Sequence, residues 1–247
     1  MRYRGASIQQ QIHIFLLCLL LFIFPSAASA RDITEAEWAA WPDFCKAGWL
    51  NGSGGARSVF QGRMPPGEVS QILRRAPQSV GIAGLWHFCL AMAETNRAKV
   101  KPYNSATARS LQDALNDFSY SFGRTPITAP GYSMLTAHYG TALYISGRKE
   151  EAIVMWEKGM QARPSSRESY LAMAEMLLKE RKNIDALKIL LRYEENKAYD
   201  SPDVEYFLGH IYFELKRYEK AREHADKAYK LGYPFPGLRR KLERIGK

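Results

Sequence analysis

A pattern of small and large residues recurs about every 34 residues in the C-terminal half of the chain. The small residue that opens the pattern is Gly140, Ala174 or Gly209 in three successive units. Self-similarity at such a period is typical of architectures in which each unit buries its apolar face against its neighbours. The pattern therefore predicts a solenoid of stacked units rather than one globular core.

The spacing within each unit indicates a pair of helices. The opening small residue would lie where the first helix crosses the second, and a second small residue is expected on the second helix at the same crossing. Large side chains at either place would hold the two helices apart. We expect Trp156 and Leu190 to fill the space between one pair and the next. The second small residues are Ala152, Ala186 and Ala221.

This pattern resembles the tetratricopeptide repeat, whose unit places a small residue, an aromatic, a second small residue and a proline at fixed positions. Tyr170 matches the opening aromatic of that family and Pro164 matches its proline, whereas Thr136 and Glu205 depart from the aromatic. The resemblance implies an all-α, right-handed α–α solenoid that binds protein partners. An ordinary helix bundle is the alternative, and three units in near register argue against it.

The repeats divide the chain into seven segments. Ala114, Phe118 and Pro126 repeat the offsets of the later units, which indicates a degenerate helix pair before the three clear repeats. A cap is expected on each side, because the terminal faces of a solenoid have no neighbour. The predicted segments are a signal peptide at 1–30, an N-terminal cap at 31–78, the degenerate pair at 79–132, repeats at 133–166, 167–201 and 202–235, and a capping helix at 236–247.

Local patterns predict several helices within these segments. Glu68–Arg75 is expected to form a short helix in the N-terminal cap. The degenerate pair is expected to consist of helices from Gly81 to Ala98 and from Thr107 to Phe122. In the capping helix, Leu238, Leu242 and Ile245 would form the inward stripe.

The first thirty residues have the order of parts of a secretory signal peptide. Arg2 and Arg4 precede an uninterrupted apolar run, Ile14–Phe24, and Ala28 and Ala30 give a small-x-small cleavage site. The run is shorter than the roughly 20 residues needed to span a bilayer. We predict cleavage near Ala30 and a periplasmic or secreted location, with a bacterial periplasm favoured. An uncleaved N-terminal anchor is the alternative.

The chain is basic, with a formal charge of +10 over 247 residues. Removal of residues 1–30 takes away two arginines and no acid, which leaves +8. Basic chains often bind nucleic acid, but export argues against that partner here. The basic helix at 236–247 could contact a membrane surface. A solvated cap is the favoured interpretation, because its apolar stripe is needed to cover the last repeat.

Cys45 and Cys89 are the cysteines that remain after cleavage, and two cysteines in an oxidising compartment favour a disulfide. The alternative is a thiol- or metal-dependent enzyme, or a redox protein, centred on Cys45, His87 and Cys89. A metal site needs three or four ligands at a coherent spacing, and no nucleotide-binding, hydrolase or metalloprotease motif is present. We therefore predict no catalytic residue, no metal and no cofactor, and a chain that is not an enzyme.

In the resembled family, the first helices of the pairs line a concave binding face. Ala137, Thr141, Leu171 and Glu175 occupy the area where some members carry a carboxylate clamp, so that clamp is missing here. A mixed apolar and aromatic face suits an amphipathic helix or an extended segment. The predicted lining is Met134, His138, Thr141, Tyr144, Leu171, Glu175, Leu178, Asp203, Tyr206, His210 and Phe213.

These observations predict an exported scaffold for protein–protein interaction. An adaptor in a bacterial cell-envelope or secretion assembly is favoured, with a protein or peptide partner in the envelope. The alternative of another class is a structural subunit of an envelope complex, whose groove would be filled by its own chain or by a second copy.

Overall fold

Twelve α-helices form the regular structure of residues 33–52, 59–100 and 104–246, which are the residues that the computed structural model describes. These residues contain no β-strand. The prediction of an all-α solenoid is confirmed. The predicted signal peptide at 1–30 lies outside the described residues.

The helices differ in length from six to eighteen residues. They are α1 (Glu35–Ala40), α2 (Asp43–Asn51), α3 (Pro66–Ser79), α4 (Leu85–Val100), α5 (Ser105–Phe122), α6 (Tyr132–Ile145), α7 (Lys149–Ala162), α8 (Glu168–Lys179), α9 (Asn183–Glu194), α10 (Pro202–Glu214), α11 (Tyr218–Lys230) and α12 (Gly237–Arg244).

Helices α4 to α11 form four successive pairs. Contacts are most extensive within each pair, and each second helix also contacts the first helix of the next pair. Consecutive first helices contact one another as well, so α4, α6, α8 and α10 follow one another along one side of the stack. Helix α12 contacts both α10 and α11 and takes the place of a further first helix.

The small residues allow the close approach that their spacing predicts. A Cβ atom added to Gly140 would lie 2.4 Å from the Trp156 Nε1 atom, so α6 and α7 have no room for a side chain there. Trp156 is 1% exposed, and its Nε1–H donates to the Ala137 carbonyl oxygen at 3.1 Å. The indole thus packs against the first helix of its own pair. The sequence pattern places Trp156 only between one pair and the next, so this contact was not predicted. The second small residues, Ala152, Ala186 and Ala221, are fully buried.

Three helix boundaries differ from the predicted ones. Helix α4 begins at Leu85 instead of Gly81, because Gly81 and Gly84 adopt φ angles of +65° and +61° that a helix does not allow. Helix α5 begins at Ser105 instead of Thr107, since the Asn104 side chain accepts the Thr107 N–H at 2.9 Å and caps an earlier start. Helix α3 is longer than predicted and runs from Pro66 to Ser79.

The inward stripe of α12 is shorter than predicted. Leu238 and Leu242 are buried, but Ile245 follows the last helical residue and is 40% exposed. The prediction that Ile245 faces the core is wrong, because the helix ends at Arg244 and Gly246 turns the chain with a φ of +66°.

The N-terminal helices are fastened to the first pair by two links. A disulfide joins Cys45 on α2 to Cys89 on α4, and both residues are fully buried. The Arg97 guanidinium on α4 donates to the Glu37 carboxylate on α1, with Nη2 and Oε2 2.6 Å apart. The predicted cysteine pairing is therefore present in the structure.

Candidate functional site: a groove along the first helices

The eleven side chains predicted to line a concave face lie on α6, α8 and α10, the first helices of the three clear repeats. All eleven are half-buried. A residue that lines a binding face is expected to be half-buried, because its neighbours must hold it in place while part of its surface remains accessible to a ligand. Their role in binding remains a prediction.

The structure brings three of them together in a cavity of about 600 Å³ between α8 and α10. Helices α8 and α10 contact one another less than α6 and α8 do. Seven residues, 195–201, connect α9 to α10, whereas five residues, 163–167, connect α7 to α8. The smaller contact between α8 and α10 thus accompanies the longer connection. The lining residues are Leu178, Lys179, Arg181, Asn183, Tyr206, Phe207, His210 and Glu214.

Aromatic rings form one wall of this cavity, and packing holds them in place. The Tyr206 ring stacks on Tyr233 with centroids 3.9 Å apart and contacts the His210 ring at 4.7 Å. Burial and the neighbouring Tyr206 raise the pKa of Tyr233 to about 12, so its hydroxyl stays protonated at neutral pH. The wall is therefore a fixed, uncharged surface suited to an apolar side chain.

Two histidines of the groove are uncharged at neutral pH. Burial lowers the pKa of His138 to about 4, and the charge of Lys99 adds to the effect. Burial also lowers the pKa of His210 to about 4, with a further contribution from Lys241 that outweighs the opposing charge of Glu214. Neutral imidazoles can donate and accept hydrogen bonds without carrying charge into the groove.

The carboxylates of the groove already have cationic partners. Glu175 Oε1 lies 2.9 Å from Lys179 Nζ, and Glu214 Oε1 lies 3.3 Å from Lys241 Nζ. Burial raises the pKa of Glu175, but the hydrogen bond from Lys179 and the charges of Lys99 and Lys179 outweigh it, so the pKa is lowered. The third acid is Asp203, with an oxygen 3.4 Å from Arg167 Nε.

Two cations of the groove have no such partner. Neither Lys99 nor Arg181 has a carboxylate of the described residues within ion-pair distance. Lys99 is near enough to influence the pKa of both His138 and Glu175. Arg181 lines the cavity and adopts a φ angle of +59° in the turn between α8 and α9. The unpaired positive charge favours a ligand that carries a carboxylate.

The structure adds residues to the predicted site and separates others from the cavity. Of the predicted lining, Leu178, Tyr206 and His210 meet in the cavity, while the α6 residues Met134 and Tyr144 do not line it. Sequence analysis missed the remaining five, of which Phe207 could have been found as an aromatic beside Tyr206. The other four are Lys179, Arg181, Asn183 and Glu214.

A second cavity, of about 610 Å³, lies between α3 and the loop at 126–130. Leu73, Ala76 and Ile82 are among its apolar lining residues, and none of its lining side chains is ionisable. It therefore offers none of the charge that distinguishes the groove cavity.

The alternative of a thiol- or metal-dependent centre at Cys45, His87 and Cys89 would require a free thiolate or a group of metal ligands. Both sulfur atoms belong to the disulfide, so neither is a free thiolate. His87 Nδ1 lies 2.6 Å from Asp117 Oδ1. In the described part of the chain, no three His, Cys, Asp or Glu residues are grouped as a metal site requires. The same residues contain no helix that is both long and apolar enough to cross a membrane.

The fold and the groove define the class of protein: an α–α solenoid with a ligand-sized cavity between first helices. Residues 202–232 match the tetratricopeptide repeat family. This match covers the third of the three clear repeats and agrees with the resemblance that the residue pattern indicates. Solenoids of stacked repeats present extended concave surfaces with which they bind their partners.

A solved structure of a thermophilic tetratricopeptide-repeat protein from Thermus thermophilus is similar to this chain, with 17% sequence identity and a TM-score of 0.49. The match covers 72% of this chain and 89% of that one. None of the curated proteins matches this sequence.

Proposed function

We propose that the chain is an exported adaptor of a bacterial cell envelope whose groove binds a segment of a protein partner. The order of parts in residues 1–30 supports export, and the repeats support the scaffold role. The cavity between α8 and α10 carries the proposal for the site, because it joins an aromatic wall to an unpaired cation.

The chemistry of the cavity favours a particular segment. Tyr206, Phe207 and Leu178 offer apolar surface for one aliphatic or aromatic side chain of the partner. Arg181 offers a guanidinium that can bind a carboxylate through two hydrogen bonds. The preferred segment would therefore carry an apolar anchor residue with Asp or Glu close to it in sequence.

Selection from a random peptide library on the purified protein tests this preference. The selected peptides should contain a large apolar residue within a few positions of Asp or Glu. Arg181→Ala should remove the enrichment of acids and keep that of apolar residues, whereas Phe207→Ala should weaken the apolar enrichment. Arg222→Ala is the matched control, because Arg222 is exposed on α11. A selection that Arg181→Ala and Phe207→Ala leave unchanged, as Arg222→Ala should, would contradict the site.

Crosslinking in intact cells tests the adaptor role separately. A photoreactive residue at position 207 should capture a distinct envelope protein, and Arg181→Glu should reduce the yield. The same photoreactive residue at Val154, which is 54% exposed on α7, is the control. Capture of a second copy of this chain at position 207 would favour the structural-subunit alternative over the adaptor.

A further inference from the structure

The C-terminal end of the solenoid carries exposed apolar side chains among unpaired cations. We propose that this end binds the surface of an anionic lipid bilayer. The inference goes beyond the groove and its protein partner, since it rests on different residues. We call these residues the C-terminal basic surface: Lys230, Leu231, Phe235, Arg239, Arg240 and Arg244.

Phe235 is the central observation. Its side chain is 65% exposed although the backbone around it is held in place. The Tyr229 hydroxyl donates to the Phe235 carbonyl oxygen at 3.3 Å and accepts the Arg239 N–H at 3.1 Å. The preceding Tyr233 is stacked on Tyr206. The exposure of the Phe235 ring is therefore built into the end of the solenoid.

Other apolar side chains accompany it. Leu231 follows the end of α11 and is 43% exposed, and Ile245 follows the end of α12 and is 40% exposed. The inward apolar stripe of α12 cannot contact lipid, because its residues Leu238 and Leu242 are buried against the last repeat. Contact with lipid would thus come from the residues that flank α12 rather than from its apolar face.

The charge of this surface indicates that its binding partner is anionic. Residues 230–246 contain five Lys or Arg residues and a single acid, Glu243. Lys241 is paired with Glu214. The other four cations, Lys230, Arg239, Arg240 and Arg244, form no ion pair with any described carboxylate and are exposed.

Several polyanions could attract these cations, but the exposed rings and aliphatic groups favour one of them. An anionic bilayer places a hydrocarbon layer directly beneath its charged headgroups, so it satisfies Phe235 and the arginines together. A soluble polysaccharide offers charge without that apolar layer. Interfacial binding of this kind scales with buried apolar area and with attraction to anionic lipid.

Partitioning of the full chain into vesicles measures the attraction. Binding should be strong to phosphatidylcholine vesicles with 30% phosphatidylglycerol at 50 mM NaCl, and should fall at 500 mM NaCl because salt screens exposed charges. The double substitution Arg240→Gln with Arg244→Gln should lower the partition coefficient by about 25-fold, since one cation near an anionic surface contributes about fivefold. Phe235→Ala should lower it further. Helical content and thermal stability of these variants serve as folding controls, because the substituted side chains are exposed.

The apolar run at Ile14–Phe24 could bind vesicles by itself, so the test also needs a local readout. Phe235→Trp should show indole fluorescence that brominated phosphatidylglycerol quenches. Ile184→Trp is the matched control, because Ile184 is 50% exposed on α9 and should escape quenching.

The outcomes separate the explanations. Selective quenching at position 235 together with the loss of binding in the arginine variant supports the proposal. Equal quenching at 184 and 235, or partitioning that the Arg240 and Arg244 substitutions leave unchanged, overturns it. Binding to soluble heparin that matches binding to vesicles, and that Phe235→Ala does not affect, overturns the lipid assignment in favour of a polyanion.

Discussion

Glu205 and His224 are joined by a hydrogen bond of 2.6 Å between Oε2 and Nδ1 inside the third repeat. Glu205 is 1% exposed and stands where the repeat pattern has its opening aromatic, and the His224 ring stacks on Tyr212. The degenerate pair contains the same kind of hydrogen bond with the two residue types exchanged between the helices. Its first helix supplies the histidine, His87, and its second helix supplies the acid, Asp117. A hydrogen-bonded polar pair thus joins the two helices at the same place in both units.

Replacing Glu205 by alanine should destabilise the last repeat. The substitution removes a buried carboxylate and leaves the His224 imidazole without its partner, which costs about 3 kcal/mol in comparable buried pairs. The free energy of unfolding from urea titration, followed by circular dichroism, measures the loss.

The second repeat supplies the matched rescue. It places Tyr170 and Ile189 at the positions of Glu205 and His224. The double substitution Glu205→Tyr with His224→Ile should therefore recover much of the stability that Glu205→Ala loses. Glu223→Ala, at an exposed position of α11, should change the free energy by less than about 0.5 kcal/mol. Equal effects of Glu205→Ala and Glu223→Ala would show that the buried pair contributes nothing.

Gly140→Ala should destabilise the first clear repeat by about 1–3 kcal/mol, the usual cost of overpacking. The added Cβ would lie 2.4 Å from Trp156 Nε1 and 2.7 Å from its Cδ1. The indole must then shift and weaken its hydrogen bond to the Ala137 carbonyl. Tryptophan fluorescence and thermal unfolding check the effect.

Gly67→Ala is the control for this substitution. Gly67 lies in the first turn of α3, and an added Cβ would meet no atom within 4 Å. Alanine should stabilise that position by about 0.4–1 kcal/mol, because it restricts the unfolded chain. A Gly140→Ala protein that is as stable as the unsubstituted one would mean that α6 and α7 can separate at no cost.

The helix crossings could be predicted from the sequence, whereas the cavity between α8 and α10 could not, and the difference has a physical reason. Gly140 and Ala152 are recognisable in the sequence because a helix crossing requires small residues, since only small side chains allow two helices to touch. The positive φ angle of Arg181 recurs at Gly147 and Lys216, the same turn of the other two clear repeats. The cavity instead depends on the smaller contact of α8 with α10 than with α6, and that difference leaves no signal in the repeat pattern.

The degenerate pair shows a second limit. Ala91 is fully buried and follows Leu90, as Gly209 follows Leu208 in the third repeat. The distance from Ala91 to Ala114 is longer than the distance from Gly209 to Ala221, so a search at a fixed period does not find Ala91. The hydrogen bond between His87 and Asp117 establishes the alignment in three dimensions.

Removal of the disulfide by Cys45→Ser with Cys89→Ser should lower the free energy of unfolding by about 2–4 kcal/mol. The bond closes a long loop, with a sequence separation of 44, and links α2 to α4. Urea titration measures the total effect, and hydrogen exchange should show the loss concentrated in α1 to α3.

Glu37→Ala provides the comparison for the disulfide, because it removes the link from α1 to Arg97 and keeps the covalent bond. It should cost less than the double serine substitution. Alkylation of both Cys45 and Cys89 in the native protein before reduction would contradict the disulfide itself.

Acidic pH should destabilise the protein through His138, and His138→Gln should weaken that dependence. The pKa of His138 is about 4 in the folded chain and about 6.5 in the unfolded chain, because burial and then Lys99 oppose its charge. Between these two values, the unfolded chain binds a proton that the folded chain does not. The free energy of unfolding therefore falls as pH falls from 6.5 towards 4, by an amount on the order of 3 kcal/mol, and this group adds no change above or below that window. Urea titrations from pH 7 to pH 4 on both proteins should give a steeper decline for the native sequence. Parallel declines would mean that His138 accepts its proton in the folded groove as readily as in water.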